Sequence, residues 1–168
     1  MGSGRSAGTD IKEILVNRKK AILLLIIFLT LAFIWGHSVV SKDNSARESG
    51  WVLKLVSPFL ELFLGKGNVT DHIVRKLAHF AEYSVLGAEL LCFFSFGGDG
   101  NMHFTSVRQY AVALLHTLFT ALIDETIQLF SDRGSQVSDI WLDCSSAAFG
   151  ALAAAAIILL FSGRRGKE

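Results

Sequence analysis

The sequence is poor in charged residues and in cysteine. Only 18% of its residues are charged, against about a quarter in a typical soluble domain. The chain has only two cysteines, Cys92 and Cys144, which excludes a disulfide framework and a paired-cysteine zinc motif. Both lie in apolar stretches, where a buried thiol is expected. The net charge of +1 and the lack of a basic stripe exclude nucleic acid as a partner. With 51% hydrophobic residues, the chain is not expected to be a soluble protein.

Four long apolar stretches are instead typical of membrane-spanning helices, each of which needs about 20 residues. The stretches cover residues 21–40, 77–96, 107–130 and 140–161. The first has no polar stripe, so it must be buried or face lipid on every side, which argues against a soluble helix bundle. The sequence therefore predicts an all-α, polytopic membrane bundle of four transmembrane helices, forming a single domain over residues 1–168.

The first connection contains a further apolar segment at residues 51–65. This segment is too short to span and is interrupted by Pro58, so we expect a short interfacial or re-entrant helix in the first extracytoplasmic loop. A loop that packs over the bundle is the alternative. In the fourth span, small residues such as Ser146 and Gly150 offer a surface for close helix contact.

The distribution of Lys and Arg favours a cytoplasmic location for both termini. With the N-terminus inside, nine of the 16 Lys and Arg residues lie on the cytoplasmic side and seven on the other side. The densest clusters are at residues 18–20 and 164–167, beside the first and fourth spans, which resemble plain anchors. An even number of spans agrees with this orientation.

Ionisable and amide side chains interrupt the second, third and fourth spans at one depth. These residues are Arg75, Lys76, His79 and Glu82 on the second span, Asp124, Glu125 and Gln128 on the third, Asp139 and Asp143 on the fourth, and Arg133 in the turn before it. An ionised side chain in hydrocarbon costs several kcal/mol unless it is paired or hydrated, so such groups turn towards each other. The sequence predicts a polar cavity between three helices, close to the outer leaflet.

Two kinds of site would use this cavity. In a binding site, cations and amides hold the head group of an amphiphile; the residues predicted to bind it are Arg75, Lys76, Gln128, Arg133, Asp139 and Asp143. In a hydrolase or transferase acting on a lipid-linked substrate, His79, oriented by Glu82, is the general base and Asp124 or Glu125 the general acid. Carboxylates with one imidazole also suit a divalent metal. The sequence does not decide whether a metal is bound or whether the protein is an enzyme. It also leaves open that these residues serve only to pack the helices.

Two motifs resemble the signatures of the VanZ-like family of membrane proteins. The first is Arg75-Lys76-x-x-His79-Phe80-x-Glu82-Tyr83 with Leu86-Gly87; the second combines Asp124-Glu125-x-x-Gln128, Arg133-Gly134-Ser135 and Asp139-x-x-x-Asp143. The resemblance covers about residues 75–152. The family's namesake is associated with low-level resistance to teicoplanin, so the resemblance implies a bacterial cell-envelope protein involved in glycopeptide resistance. The expected partners are membrane lipids and either a lipid-linked envelope precursor or a lipid-tailed antibiotic.

Overall fold

Five helices account for most of the described part of the chain. The structure is a computed structural model, and it describes residues 7–39, 53–63, 65–104, 106–131 and 136–165. The helices are α1 (Ala7–Val39), α2 (53–63), α3 (Asp71–Phe94), α4 (Val107–Phe130) and α5 (Val137–Arg165). The described residues form no strand, only an isolated bridge between Phe96 and Met102. The predicted all-α class is therefore confirmed.

Helices α1, α3, α4 and α5 are each long and apolar enough to cross a membrane. Large apolar side chains cover their outer faces; Phe28, Phe119 and Leu152 are all more than half exposed. Water would not tolerate such a surface around a whole bundle, whereas lipid does. The chain is therefore a multi-pass membrane protein.

The second spanning helix begins earlier and ends earlier than the predicted stretch of residues 77–96. It begins at Asp71, after Thr70, whose hydroxyl accepts a hydrogen bond of 3.4 Å from the amide of Ile73. It ends at Phe94, and Ser95 is its C-terminal cap. Apolar periodicity identifies only the turns of a helix that lie in hydrocarbon. The sequence therefore predicts a later start and omits the polar first turn of α3.

The short helix α2 exposes an apolar face. It covers residues 53–63 of the predicted segment at 51–65 and continues through Pro58. Its side chains Leu55, Phe59 and Leu62, at helical spacing, are all strongly exposed. An amphipathic helix of this kind suits the membrane interface. The structure thus supports a short helix here, and its interfacial location stays a prediction.

Helices α3 and α5 approach each other to backbone contact. A β-carbon on Gly150 would overlap the carbonyl oxygen of Ser84, and one on Gly87 would overlap the backbone of Ala147. The Ser84 hydroxyl also donates a hydrogen bond of 3.0 Å to the carbonyl of Ser146. The small residues of the fourth span therefore form the close contact that the sequence predicted.

The other two helices pack around this pair. The Thr30 hydroxyl of α1 donates to the Glu89 carboxylate of α3 over 3.0 Å, and the Tyr110 hydroxyl of α4 donates to the Ala148 carbonyl of α5 over 3.0 Å. The fully buried large apolar side chains between the helices are Ile34, Tyr83, Leu86 and Leu91. In this arrangement the end of α1, the start of α3, the end of α4 and the start of α5 lie at one end of the bundle.

Gly150→Ala is expected to destabilise the bundle by about 1–3 kcal/mol, the usual cost of overpacking, because the new methyl group must displace the backbone of α3. The melting temperature of the purified protein in detergent measures this effect. Gly36→Ala is the control, since a β-carbon there meets nothing within 4 Å and alanine favours a helix over glycine. If the Gly150→Ala protein melted at the same temperature as the Gly36→Ala protein, the close approach of α3 and α5 would be contradicted.

Candidate functional site

A polar cleft of about 240 Å³ opens at the end of the bundle where α3 and α5 begin and α4 ends. Its lining comprises His72, Arg75, Lys76, His79, Glu125, Gln128, Gln136, Asp139, Leu142 and Asp143. Most of these residues belong to the polar layer that the sequence predicts. Three helices therefore bring their ionisable side chains to one place, which we call the polar cleft.

The floor of the polar cleft is a cluster of one histidine and two aspartates, of which His79 and Asp143 line the cleft and Asp124 lies beside them. The Nδ1 atom of His79 lies 3.7 Å from Oδ1 of Asp143 and 3.9 Å from Oδ2 of Asp124. These distances fit ion pairs and are too long for hydrogen bonds. Both aspartates are completely buried, and the ring of His79 lies nearly parallel to that of Tyr83. One side chain from each of three helices thus meets at this point.

The Asp124 carboxylate is held in place by an amide and by the end of α1. The Gln128 side-chain amide donates a hydrogen bond of 3.0 Å to Oδ2 of Asp124 and a longer one of 3.5 Å to the hydroxyl of Ser38. The Ser131 hydroxyl in turn donates to the carbonyl of Ser38 over 3.0 Å. The first spanning helix, which the sequence analysis treated as an anchor, therefore supports the floor of the polar cleft.

Two further acids at the polar cleft have partners of their own. The Glu125 carboxylate accepts a hydrogen bond of 3.0 Å from the backbone N–H of Gln136, just before α5 begins. The Asp139 carboxylate lies 3.3 Å from Nζ of Lys76. Glu125 thus ties α4 to the start of α5, and Asp139 ties α5 to α3. Their catalytic and substrate-binding roles stay predictions.

The neighbours of Glu82 differ from the sequence-based interpretation. That interpretation paired Glu82 with His79 on the same helix, because the two are three residues apart. In the structure, Oε1 of Glu82 lies 3.9 Å from Nδ1 of His37 on α1, while Nδ1 of His79 faces the aspartates of α4 and α5. Side chains from neighbouring helices can approach a ring nitrogen end-on, which a helical neighbour cannot do as easily.

Some site residues were missed, and Arg133 lies outside the described residues. The missed residues are His37 and Ser38 on α1, together with His72 and Tyr83 on α3 and Gln136 before α5. A signal for the first two existed, because they are polar residues at the end of an apolar span that runs to the same side of the membrane. Tyr83 belongs to the first motif, but it was not counted among the site residues, since a tyrosine in an apolar helix is typical of any core.

The chain matches the VanZ/LLP1 family over residues 21–161. The match covers most of the chain, so the chain belongs to this family, as the two motifs indicated. It includes every residue predicted for the site, and it extends over the first spanning helix, which the motifs alone did not reach. No curated protein and no solved structure match the chain.

Replacement of Gln128 by leucine is expected to lower the free energy of unfolding by about 1–3 kcal/mol, the cost of leaving a buried acceptor without its donor. The acceptor here is Oδ2 of Asp124. Thermal unfolding in detergent measures the effect. Thr126→Val is the control on the same helix, because the exposed Thr126 hydroxyl donates only to the carbonyl of Leu122 in its own helix. If both variants unfold at the same temperature, the amide of Gln128 does not support the site.

Proposed function

We propose that the polar cleft binds the anionic head group of an amphiphile of the bacterial cell envelope. The observation that carries the proposal is a polar cleft, with Arg75 and Lys76 in its lining, at one end of a bundle whose spanning helices expose large apolar side chains. A head group in the cleft would leave its acyl chains against the apolar faces of the neighbouring helices. Lysine and arginine form strong charge-assisted hydrogen bonds with phosphate and carboxylate groups.

The proposed ligand is a membrane lipid, a lipid-linked precursor of the envelope, or a lipid-tailed antibiotic. All three combine acyl or isoprenoid chains with a polar or charged head group, so they present the same chemistry to the polar cleft. Membership of the VanZ/LLP1 family supports the proposal, because the resemblance to VanZ-like proteins implies a role in resistance to teicoplanin. Capture of such a molecule in the outer leaflet is one route to low-level resistance.

The proposed orientation has both termini in the cytoplasm and the polar cleft at the outer leaflet of the cell membrane. It rests on the excess of Lys and Arg beside the cytoplasmic ends of the first and fourth spans. The cleft would then open to the leaflet where glycopeptides and exported envelope precursors are found.

A membrane-embedded hydrolase or transferase is the second candidate function. It is favoured by one observation, the position of His79 within 4.0 Å of two buried carboxylates. A carboxylate beside one ring nitrogen orients an imidazole. His79 would act as the general base on a lipid-linked substrate, with Glu125 or Asp124 as the acid.

Lys76→Gln is expected to weaken the binding of phosphatidylglycerol about tenfold, because a hydrogen bond to a charged group contributes roughly 1.5–3 kcal/mol. Titration of the lipid into protein in a neutral detergent, followed by native mass spectrometry, measures the affinity. Arg108→Gln is the matched control, since Arg108 is an exposed cation at the opposite end of the bundle.

Equal affinities of the Lys76→Gln and Arg108→Gln proteins would contradict head-group binding in the polar cleft. The same samples separate the two candidate functions. If the wild-type protein converts a lipid-linked substrate and His79→Ala stops conversion while lipid binding is kept, the enzyme is favoured. If no product forms, binding alone accounts for the site.

The proposed orientation predicts which loop can be labelled from outside the cell. In a protein whose Cys92 and Cys144 are replaced by alanine, Lys66→Cys should react with a membrane-impermeant maleimide added to intact cells, and Gly98→Cys should not. Both positions are exposed in their loops, at opposite ends of the bundle. Labelling of Gly98→Cys alone would reverse the orientation.

A further inference from the structure

We propose that His79, Asp124 and Asp143 bind a divalent transition-metal ion at the floor of the polar cleft. Each residue offers one ligand atom, and the three atoms lie within 4.8 Å of one another. Ligand atoms about 2.1 Å from a tetrahedral zinc ion lie roughly 3.4 Å apart. The separations of 3.7 Å and 3.9 Å from Nδ1 of His79 need only small side-chain rotations to reach this value.

No hydrogen bond within the described part of the chain accounts for the burial of the Asp143 carboxylate. It is completely buried, and neither of its oxygens has a hydrogen-bond partner within the part of the chain that the structure describes. The same holds for Oδ1 of Asp124. Buried carboxylates are normally hydrogen-bonded, paired or coordinated to a metal. The oxygens nearest to Nδ1 of His79 are Oδ1 of Asp143 and Oδ2 of Asp124. A metal ion between the three side chains would therefore bind both carboxylates and satisfy Oδ1 of Asp143.

The charges of the cluster also call for a divalent ion. Among the described residues, His79 is the group able to carry a positive charge within 4.0 Å of these two carboxylates. A protonated His79 would offset only one of the two negative charges. A divalent ion offsets both and leaves His79 neutral, as a metal-binding imidazole must be.

The donor set selects a class of ion. Calcium takes six to eight oxygen ligands, and magnesium keeps several waters around oxygen ligands, so neither matches one imidazole and two carboxylates. Imidazole suits zinc and iron, and carboxylate suits manganese, so the mixed set fits Mn²⁺ or Zn²⁺. Three protein ligands leave at least one coordination position open, as in catalytic zinc sites.

The surroundings of the cluster hold its ligands in position. The Gln128 amide orients the Asp124 carboxylate through a hydrogen bond of 3.0 Å, and the ring of Tyr83 lies alongside that of His79. Such outer contacts orient metal ligands in known sites. The open coordination position would face the polar cleft. That it accepts an oxygen of an anionic head group beside Lys76 rests on the proposed function, whereas the metal site itself does not.

Metal content of the purified protein tests the proposal directly. The protein carries an affinity tag free of histidine, is stripped with EDTA, incubated with MnCl₂ or ZnCl₂, desalted, and measured by plasma mass spectrometry. We expect one ion per chain in the wild type. The bound metal should fall about tenfold or more in the Asp143→Asn and His79→Ala proteins, because each substitution removes a ligand of the ion. Glu89→Gln is the control, since it removes a partly buried acid of α3 that lies away from the cluster, and it should keep the ion.

A second measurement does not depend on the folding of any variant. The electron paramagnetic resonance of the Mn²⁺-loaded wild type should show coupling to the nitrogen of one imidazole, and the loaded protein should melt at a higher temperature than the stripped protein. A wild type that retains no stoichiometric ion would overturn the proposal, as would Asp143→Asn or His79→Ala proteins that bind as much metal as Glu89→Gln. Neither result depends on lipid, so the metal site can fail while head-group binding by Lys76 stands.

Discussion

The close approach of α3 and α5 is the contact on which the rest of the structure depends. At Gly87 and Gly150 the two backbones leave no room for a β-carbon. Because lipid is as apolar as the helices, association in a membrane depends on such close packing rather than on hydrophobic burial. About two turns from Gly87 along α3, the same crossing brings His79 to 3.7 Å from Asp143. A looser crossing would leave these side chains in separate environments.

The acids at this end of the bundle differ in how well they are satisfied. Glu125 accepts a backbone amide, and Asp139 pairs with Lys76 at the cleft. Asp124 likewise accepts a side-chain amide at one oxygen, whereas Asp143 has no hydrogen-bond partner among the described residues. Satisfied acids hold helices together, which is the structural alternative that the sequence left open. Asp143, whose two oxygens both lack a hydrogen bond within the described part of the chain, lies beside His79, so the acid with no structural partner other than this histidine is at the floor of the polar cleft.

The sequence predicted the spanning helices and the shared depth of the ionisable residues, because both follow from local rules. An apolar stretch of sufficient length must span, and charges in hydrocarbon must meet. The partners within the layer follow from helix rotation and crossing, which a single helix does not encode. The aspartates of α4 and α5 were therefore not identified as the neighbours of the His79 ring. The contribution of Ser38 was missed because α1 resembled an anchor with no polar stripe. The family match, by contrast, already included α1.

The polar cleft has cations in its lining and buried carboxylates at its floor. This arrangement of charges restricts which ligands can enter it. An anionic head group that is attracted by Lys76 would next meet Asp124 and Asp143, which repel it. A bare cleft would therefore stop the anion at its mouth. A divalent ion on the floor would remove this repulsion, because it offsets both carboxylates and can accept an anionic oxygen. The head-group and metal proposals are thus connected by electrostatics, and the ion is what would let a phosphate or carboxylate reach His79.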